Sequence, residues 1–461
     1  MTSTVRRAGA FALVGALSLA APFLGPAIAA PFVLIAGLAA FVIDDGPVFE
    51  LFARSGDRQE RTLYGLAGFA LAIAGLALFA SVFEMPTFVF VASVLVLSGG
   101  TLAEAVAQEW RGTPIAGVVG FVVGGTLTGA AGQLAVGLAA PAPLPALAVF
   151  YAASGALLGA LVRSVLFERD DPLVLFSMGL LLWLLAALEP SVPATGIGLA
   201  LAVTAGFGYL AYALDTASIP GMVTGVLSGL LMIVLGGFGW FALLIAFFAG
   251  GGLATKFRYD RKRQRGIAED DGGARGSGNV LANAAVALAA VLGYAAAPLH
   301  PVGGELFRFV FAGSIAAAMA DTLSSEIGGL YDTPRLITTL EPVPPGTDGG
   351  VTWQGVVAGL GGAALVAGLA ALVFDVTPAG AAIIAAAGVA GMIVDSLLGA
   401  LFENQRFDSL LPGTSGVPGA EPGGGSLGSL EFDNRTVNFL ATLAAAMICA
   451  ALAVSIGLAP G

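Results

Sequence analysis

The sequence predicts an all-α, polytopic transmembrane helical bundle, and three observations carry that prediction. Of 461 residues, 57% are hydrophobic and only 11% are charged, whereas soluble domains carry roughly a quarter charged residues. Mean hydropathy is +0.93. Apolar runs long enough to cross a bilayer, which takes about 20 residues per helix, follow one another along almost the whole chain.

In order, the runs cover residues 8–23, 28–43, 62–83, 86–107, 115–139, 145–167, 173–188, 193–214, 219–255, 279–297, 306–327, 351–375, 379–402 and 437–458. Residues 1–30 resemble a signal peptide, with Arg6-Arg7, an apolar stretch and then Ala27-Ile28-Ala29. In a chain with so many later spans, this segment is expected to stay as the first helix. The run 219–255 is too long for one span and is interrupted at Gly236-Gly237. The tendency of basic loops to remain cytoplasmic decides how to count it. Arg6-Arg7, the loop with Arg54, Arg58 and Arg61, Arg111, and the loop with Arg163 and Arg169 share one side if the N-terminus is cytoplasmic. The most basic loop, 256–265, joins them only if 219–255 crosses twice. The expectation is about 15 spans, with the N-terminus inside and the C-terminus outside. Loops 256–278, 328–350 and 403–436 then all face the cytoplasm, so the polar motifs of the C-terminal half converge on one membrane face.

The net charge of −11 and a pI of about 4.6 argue against nucleic acid as a partner. Lys256 and Lys262 are the only lysines, and an acidic, lysine-poor chain is consistent with a high-salt cytoplasm. The lone Cys449 reads as a small buried residue. Residues 411–430, rich in Gly, Pro and Ser, read as a flexible loop. Trp110, Trp183, Trp240 and Trp353 read as interface anchors, and His300, in a short outer loop, has no catalytic role. A weak internal echo relates Gly117-Val118-Val119 and Leu157–Leu161 to Gly355-Val356-Val357 and Leu397–Leu401. On that reading the N-terminal region, 1–218, is a degenerate copy of the C-terminal region, 219–461, without its acids.

The residues suited to chemistry lie in the C-terminal region. Ala320-Asp321-Thr322-Leu323-Ser324-Ser325-Glu326-Ile327-Gly328 ends an apolar run, where ionisable groups are costly and functional by default. On a helix Asp321, Ser324, Ser325 and Gly328 share a stripe, and Glu326 projects elsewhere. A second acid, Asp395, lies within the run 379–402, with Gly399 and Glu403 continuing its stripe. Two carboxylates from two helices suit Mg²⁺, which takes hard oxygen ligands and keeps phosphate and water in its shell. The alternative for each acid is a bond between helices. Pro344-Pro345-Gly346-Thr347-Asp348-Gly349-Gly350 is a turn-rich loop able to bring backbone N–H groups close to an anion. Two spans begin with Asn-x-x-x-Asn, at Asn279/Asn283 and Asn434/Asn438, which offer amides near the cytoplasmic surface or cap their helices. Lys256, Arg275, Thr338, Thr339 and Thr347 are further candidates for holding phosphates.

As a set these motifs resemble the membrane family called domain of unknown function 92, which includes plant phytyl-phosphate kinase. The matching pieces are 255–257, 275–283, 320–328, 344–351 and 394–399, in order across 219–461. The family looks distantly related to phytol kinases, dolichol kinases and CDP-diglyceride synthetases. Asp321 resembles the acid of their Gly-Asp-x-x-Ala-Ser motif. Asp348-Gly349-Gly350 loosely resembles part of the cytidylyltransferase signature, but its histidine and closing Asp-Arg are missing, which favours phosphoryl over nucleotidyl transfer. The resemblance implies a multi-pass cell-membrane enzyme with a cytoplasmic site. It would transfer a phosphoryl group from a nucleoside triphosphate, CTP or ATP, to an isoprenoid lipid phosphate. Asp321 and Asp395 would hold Mg²⁺ with Glu326 or Asp348 assisting, and Lys256, Arg275 and Gly346–Gly350 would hold phosphates. The alternatives are a CTP-dependent cytidylyltransferase, a kinase of the free alcohol, and, from another class, an ion-coupled transporter built on the broken helix 219–255.

Overall fold

The computed structural model describes residues 3–54, 56–165, 171–268, 276–402 and 433–459. Arg275, Arg169, Glu403 and the Gly/Pro-rich loop lie outside the described residues. Among the described residues thirteen helices are long and apolar enough to cross a membrane, and Asp171–Ala187 is a shorter apolar helix. Helices suit these runs because a span in lipid must satisfy its backbone polar groups within itself. Many apolar side chains point outward, as on a lipid-facing surface; Leu372, for example, is 81% exposed.

The chain divides into two compact units, Met1–Leu210 with Met222–Leu230, and Ala211–Gly221 with Leu231–Gly461. In the first unit, α1 (Ser3–Ala16) and α2 (Ala29–Phe41) are joined by 3₁₀ turns and a short helical segment around Pro22 and Pro26. The two expected runs 8–23 and 28–43 therefore form one helical stretch, Ser3–Phe41. Gly25, at φ +53°, breaks the regular helix between them, and no extended loop separates the two runs. The helices α3 (Tyr64–Val82), α4 (Thr87–Arg111), α5 (Pro114–Val136), α6 (Pro145–Val165), α7 (Asp171–Ala187) and α8 (Ala194–Ala213) follow. Gly112, at φ +65°, ends α4 in the left-handed conformation that favours glycine, and Pro114 starts α5 where a missing N–H costs nothing. In α4 every residue from Val89 to Ser98 is buried.

The interrupted run resolves into α9 (Ile219–Leu231), a π-turn at Met232–Gly236, and α10 (Phe238–Lys256). Gly237, at φ +95°, makes the break, as the glycine pair predicts. The second unit continues with α11 (Ser277–Ala296) and α12 (Gly304–Gly328), then the short antiparallel strands β1 (Arg335–Leu336) and β2 (Gly350–Val351). It ends with α13 (Trp353–Phe374), α14 (Pro378–Phe402) and α15 (Asn434–Ser455). Thr352 caps α13 by accepting from the Gly355 N–H at 3.1 Å. Asp433 caps α15; the Thr436 hydroxyl, and then its N–H, hold the Asp433 carboxyl below the usual range.

The centre of this unit is α12, buried throughout from Phe311 to Ala320 and packed by α10, α11, α13, α14 and α15. Small residues let the backbones touch. A Cβ built on Gly355, Gly359 or Gly362 of α13 would lie 2.7, 2.9 or 3.1 Å from the carbonyl oxygens of Ser324, Ala320 and Met319 respectively. On α14, Gly388 and Gly391 stand against Ala316 and Ala317 in the same way, at 2.7 and 2.5 Å from their Cβ atoms.

Candidate active site

The packing of α12 on α14 brings the two helical acids together. Ala316 and Ala317 meet Gly388 and Gly391 directly. Four residues further along each helix, about 6 Å of rise, stand Asp321 and Asp395, and both line one cavity of about 290 Å³. The predicted stripe of Ser324, Ser325 and Gly328 lines it from α12, and Ser396 and Gly399 line it from α14. The first turns of α11 and α15 contribute Asn279, Asn283, Asn434 and Asn438, and the loop contributes Gly346, Thr347, Asp348, Gly349 and Gly350. Four carboxylates (Asp321, Glu326, Asp348 and Asp395), four amides and a glycine turn thus converge at one end of the bundle, from segments far apart in sequence.

The loop is held there by shape. Gly346 and Gly349 take φ of +87° and +73°, where other residues are strained. A Cβ on Gly349 would sit 2.7 Å from the Ser396 carbonyl, so the loop packs on the backbone of α14 one residue past Asp395. Two of its N–H groups are used internally: Thr347 donates to Pro344 O at 3.2 Å, and Gly350 donates to Thr347 O at 2.9 Å. The Thr347 hydroxyl donates to Pro344 O at 2.8 Å. The anion cradle expected from this loop is therefore smaller than its composition implies. The asparagines are also engaged within their own helices, with Asn283 Nδ2 donating to Asn279 O at 3.0 Å and Asn438 Nδ2 to Asn434 Oδ1 at 2.8 Å. Thr338 and Thr339 are not part of the cavity wall.

The basic loop corrects two expectations. Lys256 is exposed and does not line the cavity. The lysine that does is Lys262, 2% exposed, because the chain turns back after α10 through Arg258 at φ +52°. Its Nζ donates to the last carbonyls of α10, Ala254 O at 2.7 Å and Thr255 O at 3.2 Å, and to Glu326 Oε2 at 2.5 Å. Such a cation satisfies the helix C-terminus and opposes its dipole. Glu326, expected to assist a metal, spends its other oxygen on the Thr255 hydroxyl at 2.7 Å. These bonds tie α12 to α10, and Glu326 also lines the cavity. Arg265 continues the seam by donating to Gly329 O at 3.2 Å and pairing with Asp332. Removing one partner of a buried pair costs about 3–5 kcal/mol. Lys262→Met should therefore lower the melting temperature by several degrees, and the double variant with Glu326→Gln should recover part of that loss. Equal melting of the two variants in detergent would show that the pair is not what holds the loop.

Among the described residues no group of three or more His, Cys, Asp or Glu side chains is arranged to hold a metal by itself. Mg²⁺ asks for less, since it binds through one or two carboxylates and fills its shell with phosphate oxygens and water. Asp321, Asp395 and Asp348, all lining the one cavity, fit that requirement.

Comparison with known proteins locates the cavity in a family. The family described as integral membrane protein DUF92 matches residues 202–446. This chain is a DUF92 protein. The match spans every described residue of the cavity wall. Protein PGR of Arabidopsis thaliana is 33% identical over 247 residues, covering 48% of this chain and 85% of that protein. The chloroplastic protein VTE6 of the same plant is 33% identical over 194 residues, 41% of this chain and 57% of that one, so only just over half of its length is matched. An uncharacterized membrane protein of Methanocaldococcus jannaschii is 35% identical over 193 residues, 40% of this chain and 74% of that protein. No solved structure matches the chain.

Proposed function

We propose that this DUF92 protein is a membrane phosphotransferase that moves the γ-phosphoryl group of a nucleoside triphosphate, CTP by resemblance, onto an isoprenoid lipid monophosphate to give the diphosphate. One observation carries the reading: Asp321, Asp348 and Asp395 line a single cavity with a glycine turn, at the level where membrane-length helices end. Carboxylates at such a depth fit a multiply charged phosphate chain brought in with a cation, because acids alone would repel it. The chloroplast relative VTE6 and the resemblance of the 320–328 and 344–351 motifs support the isoprenoid acceptor. The basic run beside the cavity favours a cytoplasmic opening, within reach of soluble nucleotide.

In this reading Asp321 and Asp395 hold Mg²⁺, which supplies charge neutralisation for the triphosphate. The acceptor's phosphate oxygen forms a bond to the γ-phosphorus, the bond from that phosphorus to the bridging oxygen breaks, and the nucleoside diphosphate leaves with the electron pair. The acceptor is already an anion, so the protein needs no strong base; positioning and electrostatics carry the step. Ser324, Ser325 and the amides of Asn279 and Asn434 offer neutral hydrogen bonds to phosphate oxygens, and the Gly346–Gly350 turn lets the chain approach them closely. Lys262 keeps the end of α12 in place beside them.

The test is to incubate purified protein with Mg²⁺, labelled CTP or ATP, and prenyl monophosphates. Labelled lipid diphosphate is the expected product, and chelation by EDTA should stop its formation until Mg²⁺ is restored. A CDP-linked lipid would instead identify a cytidylyltransferase. Absence of any lipid product with either nucleotide would overturn the assignment.

A further inference from the structure

The first unit carries a polar cavity of its own, and we propose that it binds a phosphate group through arginine, without a metal. Its plan parallels that of the second unit. Each has a 25-residue helix, α4 or α12, buried through a long central stretch. Each such helix is followed by a glycine-bearing helix packed against its backbone. A Cβ on Gly120 of α5 would lie 2.8 Å from Ala103 O, much as one on Gly359 would lie 2.9 Å from Ala320 O. Glu104 stands seven residues before the end of α4, as Asp321 does in α12. Glu104 also lines a cavity, of about 200 Å³, with Thr101 and Gln108 on the same stripe.

The wall of this cavity carries three arginines, whereas its counterpart's charged residues are mostly acids. Where α14 brings Asp395 to the DUF92 cavity, α6 brings Arg163, and Arg7 and Arg54 join it. Arg163 Nη2 bonds Glu104 at 2.8 Å, with Nη1 3.8 Å from Asp171. Arg54 Nη2 bonds Asp171 at 2.8 Å, and Arg7 Nη1 donates to Ala53 O at 3.3 Å. Three guanidiniums and two carboxylates line the wall, and the buried Asp57 accepts from the Arg54 backbone N–H at 2.9 Å. A guanidinium has five N–H donors in a planar fork, so pairing one edge with a carboxylate fixes its plane without exhausting it. Arg54 lies over the Phe11 ring, 5.3 Å from its centroid, and Arg163 over Phe121 at 5.0 Å, which further set their orientation. Three oriented arginines converging on one cavity at the end of membrane helices suit a phosphate monoester. That chemistry is offered by an anionic lipid headgroup or by free phosphate.

The test uses the full chain in phosphatidylcholine nanodiscs, with EDTA and in an Asp321→Asn background that silences the acidic cavity. Short-chain phosphatidic acid and inorganic phosphate are titrated separately by calorimetry. Saturable binding is expected, weakened at least tenfold by Arg7→Gln at unchanged melting temperature and lost in Arg163→Gln. Binding of phosphatidic acid alone assigns a lipid headgroup, and equal binding of both assigns a simple phosphate site. Should Arg163→Gln fail to fold, Arg7→Gln decides, because its described bond is to a backbone carbonyl. No saturable binding of either probe, or binding that Arg7→Gln leaves unchanged, overturns the proposal. A failure here leaves the phosphotransferase reading intact, since that activity is measured separately on the unmutated acidic cavity.

Discussion

Asp321→Asn is expected to remove phosphoryl transfer, lowering kcat by about 10³-fold or more, while the protein stays folded. The loss follows from charge. Asparagine has nearly the shape of aspartate but brings no negative charge, so a hard divalent cation loses a principal ligand, and interactions aimed at developing charge are worth about 10²–10³ in rate each. Folding survives because Asp321 lies on the cavity wall, below the fully buried stretch that ends at Ala320. There an amide can still hydrogen-bond to water and neighbours. Asp395→Asn should behave alike, and the pair should be far from additive, as expected of two ligands to one cation. The check is turnover of a prenyl monophosphate at saturating nucleotide, alongside a melting curve for each variant. Wild-type turnover by Asp321→Asn would remove the metal from the reading, whatever the second variant did.

Gly359→Leu is expected to destroy the second unit. A Cβ at this position meets Met392 Sδ at 2.3 Å and Ala320 O at 2.9 Å. The methionine can swing aside, but the carbonyl belongs to the backbone of α12 and cannot. Overpacking of a tight core usually costs about 1–3 kcal/mol, more where the neighbour is fixed, and a leucine adds three further carbons to the clash. Gly361, two residues on, is the control, because nothing lies within 4 Å of a Cβ built there. Size-exclusion profiles in mild detergent should show Gly359→Leu aggregated or absent and Gly361→Leu like wild type. Monodisperse Gly359→Leu protein with wild-type melting would mean that the α12–α13 contact is looser than the backbone distances indicate.

Most of this architecture could be read from one dimension. Apolar runs gave the helices, because a bilayer imposes a length on each, and Gly236-Gly237 marked the break between α9 and α10. The stripe of Asp321, Ser324, Ser325 and Gly328 was legible because helical periodicity is local. What escaped was tertiary. Lys256 and Lys262 are both lysines of one basic run, and the residue at the helix end looked better placed. Only the reversal of the chain at Arg258 turns Lys262 inward and leaves Lys256 outside. Helical spacing sets Glu326 off the stripe of Asp321, but nothing in its sequence neighbours points to Thr255 and Lys262 as its partners. In the first unit, Arg54 and Arg163 stand in the sequence only as topology signals. Their pairing with Asp171 and Glu104 joins residues 117 and 59 positions apart, and no short-range pattern encodes that.

The glycine contacts of α12 bear on how a greasy guest could get in. Where α-carbons press on carbonyl oxygens there are no rotamers to swing open, so an isoprenoid tail cannot slip between α12 and α13. Thermal breathing of the bundle will not part that wall without breaking it. On the proposed function the tail lies along a different side of the cavity, and chemical crosslinking from a tail-labelled lipid should leave the Gly355–Gly362 seam unmarked.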